Sequence, residues 1–334
     1  MIGLRKRALK HNEIDRIRGA RGRSMLLFIT DRCPVGCAHC SVDSRPNSAT
    51  ISDFDLFNEI VDWICKQPSI EVVGISGGEP FTERRGLLHA SRRFAESGKV
   101  QVVFTSGVWA KPRGPSPWVN EVLAQCSCVY LSTDAFHAAT VSEGQFVRAA
   151  IAIAGAGAWI VVQVLDHGAD RERAEKLLRD AFGEKWSEQA ELNVIQPLTN
   201  GRGASLFQRH ARVRGLSFGA CSLVRSPMVR YDGLVTGCCN ESVIQNLGPS
   251  RLRRRVTTKE ALAAAVYGFH ADSLLRAIGA VGLGALTEHP RFADLAERQF
   301  ASNCQLCWEM LNRTPDPAES DPLIDAIAAL EITT

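Results

Sequence analysis

The sequence CPVGCAHC, at residues 33–40, follows closely after the apolar run MLLFIT, at residues 25–30. MLLFIT carries no charge and is typical of a short buried strand. The loop behind it contains Cys33, Cys37 and Cys40. Three thiolates can hold three corners of an iron–sulfur cubane and leave its fourth iron open, whereas electron-carrying clusters usually have four protein ligands. The loop therefore predicts a metal centre with an open position. The alternatives are zinc with a distant fourth ligand and three cysteines packed without metal.

Apolar runs of the same kind recur along the first two thirds of the chain, and helical patterns separate them. Ser52 is predicted to cap the first of these helices, and Gly183 is predicted to end the last. Strands that alternate with helices predict an α/β fold with a parallel sheet, wound as an open sheet or as a partial barrel. Right-handed crossovers then place the loops after all six strands on one rim. The six predicted strands are 25–30, 71–76, 100–106, 128–133, 159–165 and 191–196.

The composition excludes several classes of protein. The chain has 334 residues, of which 45% are hydrophobic, so it can bury a substantial core. Its 39 basic and 36 acidic residues give a net charge of +3, which argues against a long track for nucleic acid. The sequence contains neither an apolar run of membrane-spanning length nor the apolar core of a signal peptide, so we expect a cytoplasmic protein without a membrane partner. In that setting, eleven cysteines favour metal or redox ligands over disulfides.

Two motifs together resemble the radical S-adenosylmethionine (radical SAM) enzymes: C-x3-C-x2-C after the first strand, and Gly77-Gly78-Glu79-Pro80 after the second. The resemblance covers roughly residues 22 to 205. It implies a partial (β/α)6 barrel with a 4Fe–4S cluster on the three cysteines of the first motif. In these enzymes the open iron chelates SAM, and one electron cleaves SAM to methionine and a 5′-deoxyadenosyl radical, which takes a hydrogen atom from the substrate. Gly77, Gly78, Glu79 and Pro80 would hold the SAM amino group, since glycines let a backbone approach a ligand closely.

Other positions on the predicted rim match the family less closely. By resemblance, Ser106 in Thr105-Ser106-Gly107, Ser132 in Ser132-Thr133-Asp134 and Arg202 in Gly201-Arg202-Gly203 are expected to face the cofactor. Ala135 stands where relatives have glycine, and His39 stands where an aromatic residue often precedes the third cysteine.

Asp134 and His137 are candidate catalytic residues, because they lie three residues apart at the predicted mouth of the barrel. They are expected either to contact the substrate or accept a proton, or to form a loop turn with a solvated histidine.

A second group of cysteines follows residue 205, where the strand–helix alternation ends. Cys221 and Cys238 flank a predicted hairpin, and Cys304 and Cys307 form a C-x2-C pair. The C-x11-G-x4-C spacing, with Gly233, resembles the start of the twitch and SPASM extensions of radical SAM enzymes, and the shorter twitch form fits better. The four cysteines are expected to bind an auxiliary 4Fe–4S cluster, with a structural zinc site as the alternative.

Cys239 is then left over. It is an alternative ligand, a hydrogen-atom donor or a second buried thiol, of which the last is favoured.

The resemblance also divides the chain. We expect a basic N-terminal extension at 1–22 and the radical SAM partial barrel at 23–210. A twitch-like auxiliary domain of β-hairpin plus helix is expected at 211–314, followed by a peripheral acidic tail at 315–334.

The predicted function is oxidative modification, by crosslinking or dehydrogenation, of a ribosomally made peptide in natural-product biosynthesis. The alternatives are a dehydrogenase or rearrangement enzyme for a small metabolite such as an aminocyclitol or nucleoside, a peptide epimerase that uses Cys239, and a non-catalytic iron–sulfur or zinc protein. Flavodoxin or ferredoxin is the expected electron donor. Basic stretches at 5–23 and 251–255 are predicted to receive an acidic peptide or that donor, or to be solvated faces.

Overall fold

The computed structural model describes residues 7–208, 211–314 and 321–331. Six parallel strands form the centre of a sheet and lie side by side in chain order. The predicted α/β fold is confirmed, and each strand lies within two residues of its predicted ends. The strands are β1 Ser24–Phe28, β2 Val72–Ser76, β3 Val100–Thr105, β4 Cys126–Ser132, β5 Trp159–Leu165 and β6 Ala190–Ile195.

Five helices connect these strands and pack on one face of the sheet. Side chains such as Val73, Val103 and Val129 pack on that face, in the core that the helices share. The strands are apolar almost throughout, because one face packs against the helices and the other face carries its own apolar cluster. The helices are α2 Phe54–Cys65, α3 Arg84–Glu96, α4 Pro117–Gln125, α5 Glu143–Gly155 and α6 Asp170–Phe182.

The ends of two helices test the predicted caps. Asp53, not Ser52, caps α2, because its extended backbone lets its carboxylate accept from the Leu56 N–H at 2.9 Å. Gly183 ends α6 as predicted, and its φ of 69° requires glycine's conformational freedom.

The opposite face of the sheet carries its own apolar cluster and is partly covered by the N-terminal segment. Helix α1, at His11–Arg18, contributes Ile14 to this cluster, where it packs with Val72, Val102 and Tyr130. The part of the predicted basic extension that the structure describes therefore packs under the barrel strands. Residues 1–6 lie outside the described residues.

A hairpin extends the same sheet beyond β1. Strand β8, at Met228–Arg230, pairs parallel with β1. Strand β9, at Leu234–Thr236, pairs antiparallel with β8. The predicted hairpin is confirmed, and Gly233 in its turn has a φ of 78°. With β10 at Arg253–Arg255, the sheet reaches nine strands. The sheet is thus continuous from the barrel strands into the C-terminal region.

The C-terminal region otherwise consists of short helices and one small ribbon. The ribbon pairs β7, at Val213–Arg214, with β11, at Gln299–Phe300. The helices are α7 Glu241–Ile244, α8 Lys259–Ala271, α9 Ser273–Ala280, α10 Leu283–Leu286, α11 Asn303–Arg313 and α12 Pro322–Ala328. Short 3₁₀ helices occur at Pro80–Thr82, Gly183–Glu188, Gly201–Ser205, Gly215–Ser217, Ser222–Arg225, Ser250–Leu252 and Ala293–Leu295.

Residues 321–331 pack against the rest of the C-terminal region. Ile324 and Ala328 of α12 are buried, and the Glu331 carboxylate accepts from Arg21 Nε at 2.6 Å and from Arg225 Nε at 3.0 Å. The expectation of a peripheral tail is therefore wrong for these residues, because Ile324, Ala328 and the Glu331 carboxylate are buried, although Leu323 and Leu330 are exposed. Residues 315–320 and 332–334 lie outside the described residues. No helix among the described residues is both long and apolar enough to cross a membrane.

Candidate active site

The loop between β1 and α2 brings the first three cysteines together. Cys33 and Cys37 are buried and Cys40 is half-buried, and the Ser44 N–H donates to the Cys40 Sγ at 3.3 Å. Burial raises the pKa of the Cys33 thiol to about 12. A thiol with such a pKa loses its proton at neutral pH when a metal binds the sulfur. The loop therefore presents three free thiols as candidate metal ligands.

Arg202 fixes the backbone of this loop. Its Nε and Nη2 donate to the Cys37 carbonyl at 3.0 and 2.7 Å, Nη2 also donates to the Ser44 carbonyl at 2.9 Å, and Nη1 contacts Asp43 at 2.6 Å. Gly201 lies against the Cys40 carbonyl with a φ of 54°, and a Cβ there would collide with that oxygen. The sequence predicted that Arg202 contacts the cofactor, and the structure places its guanidinium on the cysteine loop.

The Gly77-Gly78-Glu79-Pro80 stretch runs along the same loop. The Gly78 N–H donates to the Thr30 carbonyl at 2.7 Å, and the Glu79 N–H donates to the Arg32 carbonyl at 2.8 Å. A Cβ on Gly78 would collide with the Arg32 carbonyl, so only glycine allows this approach. Pro80 is buried and begins a 3₁₀ helix.

Glu79 joins the ends of β2 and β3. Its buried carboxylate accepts from Thr105 Oγ1 at 2.8 Å and from the Ser106 N–H and Oγ at 2.9 and 2.5 Å. Burial raises the pKa of Glu79 even though these donors favour its charged form. Ser106, expected at the cofactor, thus donates to Glu79.

Asp134 and His137 form a pair beside the cysteine loop. The His137 Nδ1 lies 2.8 Å from the Asp134 Oδ2, and the Phe136 and His137 N–H groups donate to the Oδ1 at 2.8 and 2.9 Å. Burial opposes both charges, but the contact with Asp134 and a hydrogen bond with Cys37 raise the pKa of His137 to about 10. The same contact, against burial, lowers the pKa of Asp134. The structure therefore combines the predicted turn with a histidine that contacts a candidate cluster ligand.

These residues line a pocket of about 180 Å³ at the carboxyl ends of the strands. His39 lies in this pocket and packs against Phe136 at 4.8 Å between ring centroids, so the position before Cys40 presents a planar ring. Ser132, which the resemblance predicts to face the cofactor, is in the lining. The lining includes Cys33, Cys37, His39, Cys40, Gly78, Ser132, Asp134 and His137.

A larger cavity of about 340 Å³ adjoins this pocket, and Ser41 and Gln163 line both. It is bounded by the sheet, α1 and the residues after β9. Cys239 lies in its lining, and Arg18 Nη2 is 3.7 Å from the Cys239 Sγ. Cys239 also packs beside Phe28. The residue therefore has the packing role that the sequence favoured, and it also faces the cavity.

Most polar residues of this cavity belong to no sequence motif. Gln163 and Asn193 are register partners on β5 and β6, and Tyr130 lies on β4. A polar side chain within an otherwise apolar strand was the available signal for these three. Arg18 and Glu241 reach the cavity from outside the six strands, where no local pattern marks them.

The second group of cysteines also comes together. Burial raises the pKa of Cys307 well above its usual value, and the neighbouring Cys238, Cys221 and Cys304 raise it further. Asn240 Nδ2 donates to the Cys304 Sγ at 3.3 Å. Sulfurs bound to one zinc ion at about 2.3 Å would lie about 3.8 Å apart.

The observed sulfur spacing is wider. Among the described residues, only Cys37, His39 and His137 bring three potential ligand atoms within 4.8 Å of one another. No three sulfurs of the second group therefore lie within 4.8 Å of one another, and a cluster and a single zinc ion both stay alternatives for these four cysteines.

Comparison with known proteins gives the following matches. No protein-family model matches the chain. A stretch of 87 residues is 25% identical to the putative peptide biosynthesis protein YydG of Bacillus subtilis (strain 168), and it covers 26% of this chain and 27% of that protein. The chain therefore matches about a quarter of the length of this curated relative.

Among solved structures, BtrN in complex with AdoMet and 2-DOIA matches with a TM-score of 0.45 and 12% identity, over 83% of this chain and 92% of its own. SuiB of Streptococcus suis bound to S-adenosylmethionine matches with a TM-score of 0.44 and 12% identity, over 66% and 61%. The anSMEcpe structure with bound AdoMet and Cp18Cys peptide matches with a TM-score of 0.43 and 13% identity, over 82% of each chain.

The residues of the smaller pocket fit the cofactors that the sequence motifs imply. Cys33, Cys37 and Cys40 offer three thiols on one fixed loop for a 4Fe–4S cluster, beside a glycine cradle and a pocket. The reaction and the substrate must be inferred from the residues of the site.

Proposed function

We propose that this chain is a radical SAM enzyme that inverts the configuration of an α-carbon in a peptide. Cys239 carries this proposal, because its thiol lines the cavity that adjoins the pocket of Cys33, Cys37 and Cys40. A 4Fe–4S cluster on those three cysteines, with bound SAM, would supply a carbon radical that removes one hydrogen atom from the substrate.

The residues of the cavity then determine the outcome. After loss of the hydrogen atom, the α-carbon is a radical that either face can quench. Cys239 donates the hydrogen atom of its S–H bond, so a new C–H bond forms and a sulfur radical remains. One electron from a donor protein such as flavodoxin or ferredoxin, with one proton from water, restores the thiol. The peptide is neither oxidised nor reduced, and each inversion consumes one SAM, two electrons and one proton in total.

The cavity supports a peptide as the substrate. Gln163 and Asn193 each offer an amide donor and an amide acceptor, which is what a peptide main chain can bind. The similarity to a protein described as a putative peptide biosynthesis protein supports the same substrate class.

A second candidate is the oxidative modification predicted from the sequence. The four cysteines Cys221, Cys238, Cys304 and Cys307 favour it, since an auxiliary cluster there would accept an electron from a substrate radical. In that reaction the peptide would lose two hydrogens, and Cys239 would not be required.

The test is turnover of a candidate precursor peptide, taken from a short reading frame beside the gene, in D2O, with reconstituted enzyme and dithionite. An epimerase gives a peptide that gains one deuterium at the inverted residue, because the thiol hydrogen exchanges with solvent. An oxidase gives a peptide that is lighter by two hydrogens and carries no new deuterium, which would overturn the epimerase.

The matched variants are Cys239→Ala and Cys65→Ala, since Cys65 lies at the end of α2, outside the cavity lining. Cys239→Ala is expected to retain its iron and to form 5′-deoxyadenosine without the inverted peptide, whereas Cys65→Ala matches the wild type. Inversion by Cys239→Ala at the wild-type rate would exclude the proposed donor.

A further inference from the structure

One face of α1 enters the cavity that contains Cys239. His11, Ile14 and Arg18 lie three, four and seven positions apart, and all three line the cavity. Both ends of the helix are fixed: the His11 N–H donates to Glu191 Oε1 at 2.7 Å, and Arg225 Nη1 donates to the Gly19 carbonyl at 2.7 Å. Arg18 is therefore held on a preorganised support, which reduces the entropy lost on binding a ligand.

The Arg18 guanidinium has donors to spare for a ligand. Its Nη1 lies 3.5 Å from Asp15 Oδ1, which is long for a hydrogen bond to oxygen, and its Nη2 donates to the Cys239 Sγ at 3.7 Å, a weak acceptor. A guanidinium has five N–H donors. Among the described residues that line the cavity, Arg18 is the only arginine or lysine. Glu241, also in the lining, lies 3.4 Å from the side-chain amides of Asn200 and Asn240.

We propose that Arg18 binds the main-chain carbonyl oxygen next to the α-carbon that is inverted. This inference rests on the proposed function. A carbonyl oxygen lies about 2.4 Å from the α-carbon of its residue, given the standard bond lengths and angles. A hydrogen bond of about 2.9 Å to Nη2 therefore keeps that α-carbon near the guanidinium. Because Nη2 is 3.7 Å from the Cys239 Sγ, the same contact brings the α-carbon within reach of the thiol.

Equilibrium binding of the fluorescently labelled precursor peptide tests this assignment without turnover. The variants are Arg18→Gln, Arg18→Lys and, as the matched control, Arg16→Gln, because Arg16 is exposed on the same helix and lies outside the cavity lining. A hydrogen bond to a charged group implies that Arg18→Gln raises the Kd and KM about ten- to a hundredfold. Arg18→Lys, which keeps the charge but loses the planar fork, is expected between Arg18→Gln and the wild type.

A second measurement tests whether the bound peptide lies next to Cys239. Iodoacetamide alkylation of Cys239, located by mass spectrometry, is compared with and without the peptide. The peptide is expected to slow alkylation in the wild type and in Arg16→Gln, and to slow it less in Arg18→Gln at the same peptide concentration. The ratio within each variant is compared, so a change in the intrinsic reactivity of the thiol does not affect the result.

The outcomes separate this inference from the proposed function. Wild-type Kd and protection in Arg18→Gln would overturn the role of Arg18 and leave the epimerase standing. A wild-type enzyme that does not bind the peptide would overturn the peptide substrate and the role of Arg18 together. A similar loss of affinity in Arg16→Gln would mean that α1 acts through its net charge, which would also overturn the assignment to Arg18.

Discussion

The two groups of cysteines are assembled in opposite ways. Cys33, Cys37 and Cys40 lie on one loop, so the local backbone and a few contacts from Arg202 and the glycine stretch are enough to place them. Cys221, Cys238, Cys304 and Cys307 come from segments far apart in the chain, and they meet only after β8 pairs with β1 and α11 packs against its neighbours. The position of the first group therefore depends on one loop, whereas the position of the second group depends on the packing of the whole C-terminal region. We therefore expect the two sites to be lost separately.

The largest effects are expected from removing one ligand of each group. Cys40→Ala is expected to lose about four of about eight irons per chain and to abolish SAM cleavage. Cys304→Ala is expected to lose a similar amount of iron and still form 5′-deoxyadenosine, since the first loop is intact. Iron and sulfide counts with a 5′-deoxyadenosine assay measure both. Loss of SAM cleavage in Cys304→Ala would show that the two sites are not independent.

A smaller effect, confined to the packing of the second region, is expected from Glu331→Gln. Glu331 is buried, contacts Arg21 and Arg225 and lies 3.6 Å from Arg276 Nε, so its removal leaves buried guanidinium groups without their counter-ion. Breaking such a network costs about 3–5 kcal/mol in the free energy of unfolding. Urea unfolding of the loaded enzyme measures this loss.

The exposed Glu288 provides a matched control on the same region. Glu288→Gln is expected to change the free energy of unfolding by less than about 0.5 kcal/mol. Equal effects of the two substitutions would mean that the Glu331 network does not stabilise the C-terminal region.

The same contrast explains which features the sequence could predict. Short stretches of sequence determine the six strands and the helix end at Gly183, because an apolar run favours a buried strand and a glycine favours a helix end. Asp53 and not Ser52 caps α2, and this depends on the backbone angles of Asp53, which the sequence alone does not define. The paired motifs likewise predicted which loops lie together at the carboxyl ends of β1 and β2.

The cavity was less predictable, because distant segments build it. Arg18 reaches it through the packing of α1 under the sheet, and Glu241 reaches it through the pairing of β8 with β1. Ser106 and Arg202 were found as rim residues, but their partners, Glu79 and the Cys37 carbonyl, became evident only from the structure. Sequence motifs thus indicated the candidate site residues, but they did not indicate the contacts that hold these residues in place.

Arg202→Ala is expected to weaken the first site and leave the second intact. It removes hydrogen bonds from a charged side chain to the Cys37 and Ser44 carbonyls, which implies a loss of about 1.5–3 kcal/mol in the stability of the loop. Iron content and SAM cleavage should fall together, while iron at the second site is unchanged. Arg202→Lys is expected to recover part of the loss. An unchanged iron content in Arg202→Ala would show that the loop holds its own shape.

The smallest expected effect is a pH dependence of the contact between the N-terminal segment and the C-terminal region. Burial lowers the pKa of His270 on α8 to about 4, and Arg21 lowers it further while Glu331 opposes this. The unfolded chain, with a histidine pKa of about 6.5, binds the proton first as the pH falls. Stability is therefore complete above about pH 6.5 and decreases toward pH 4, by about 1 kcal/mol at pH 5.5.

His270→Gln should remove this decrease, and urea unfolding at pH 7 and pH 5.5 measures the difference between the variant and the wild type. His167→Gln is the control, since His167 is exposed. The same loss of stability between the two pH values in His270→Gln and in the wild type would show that His270 is not the group that titrates.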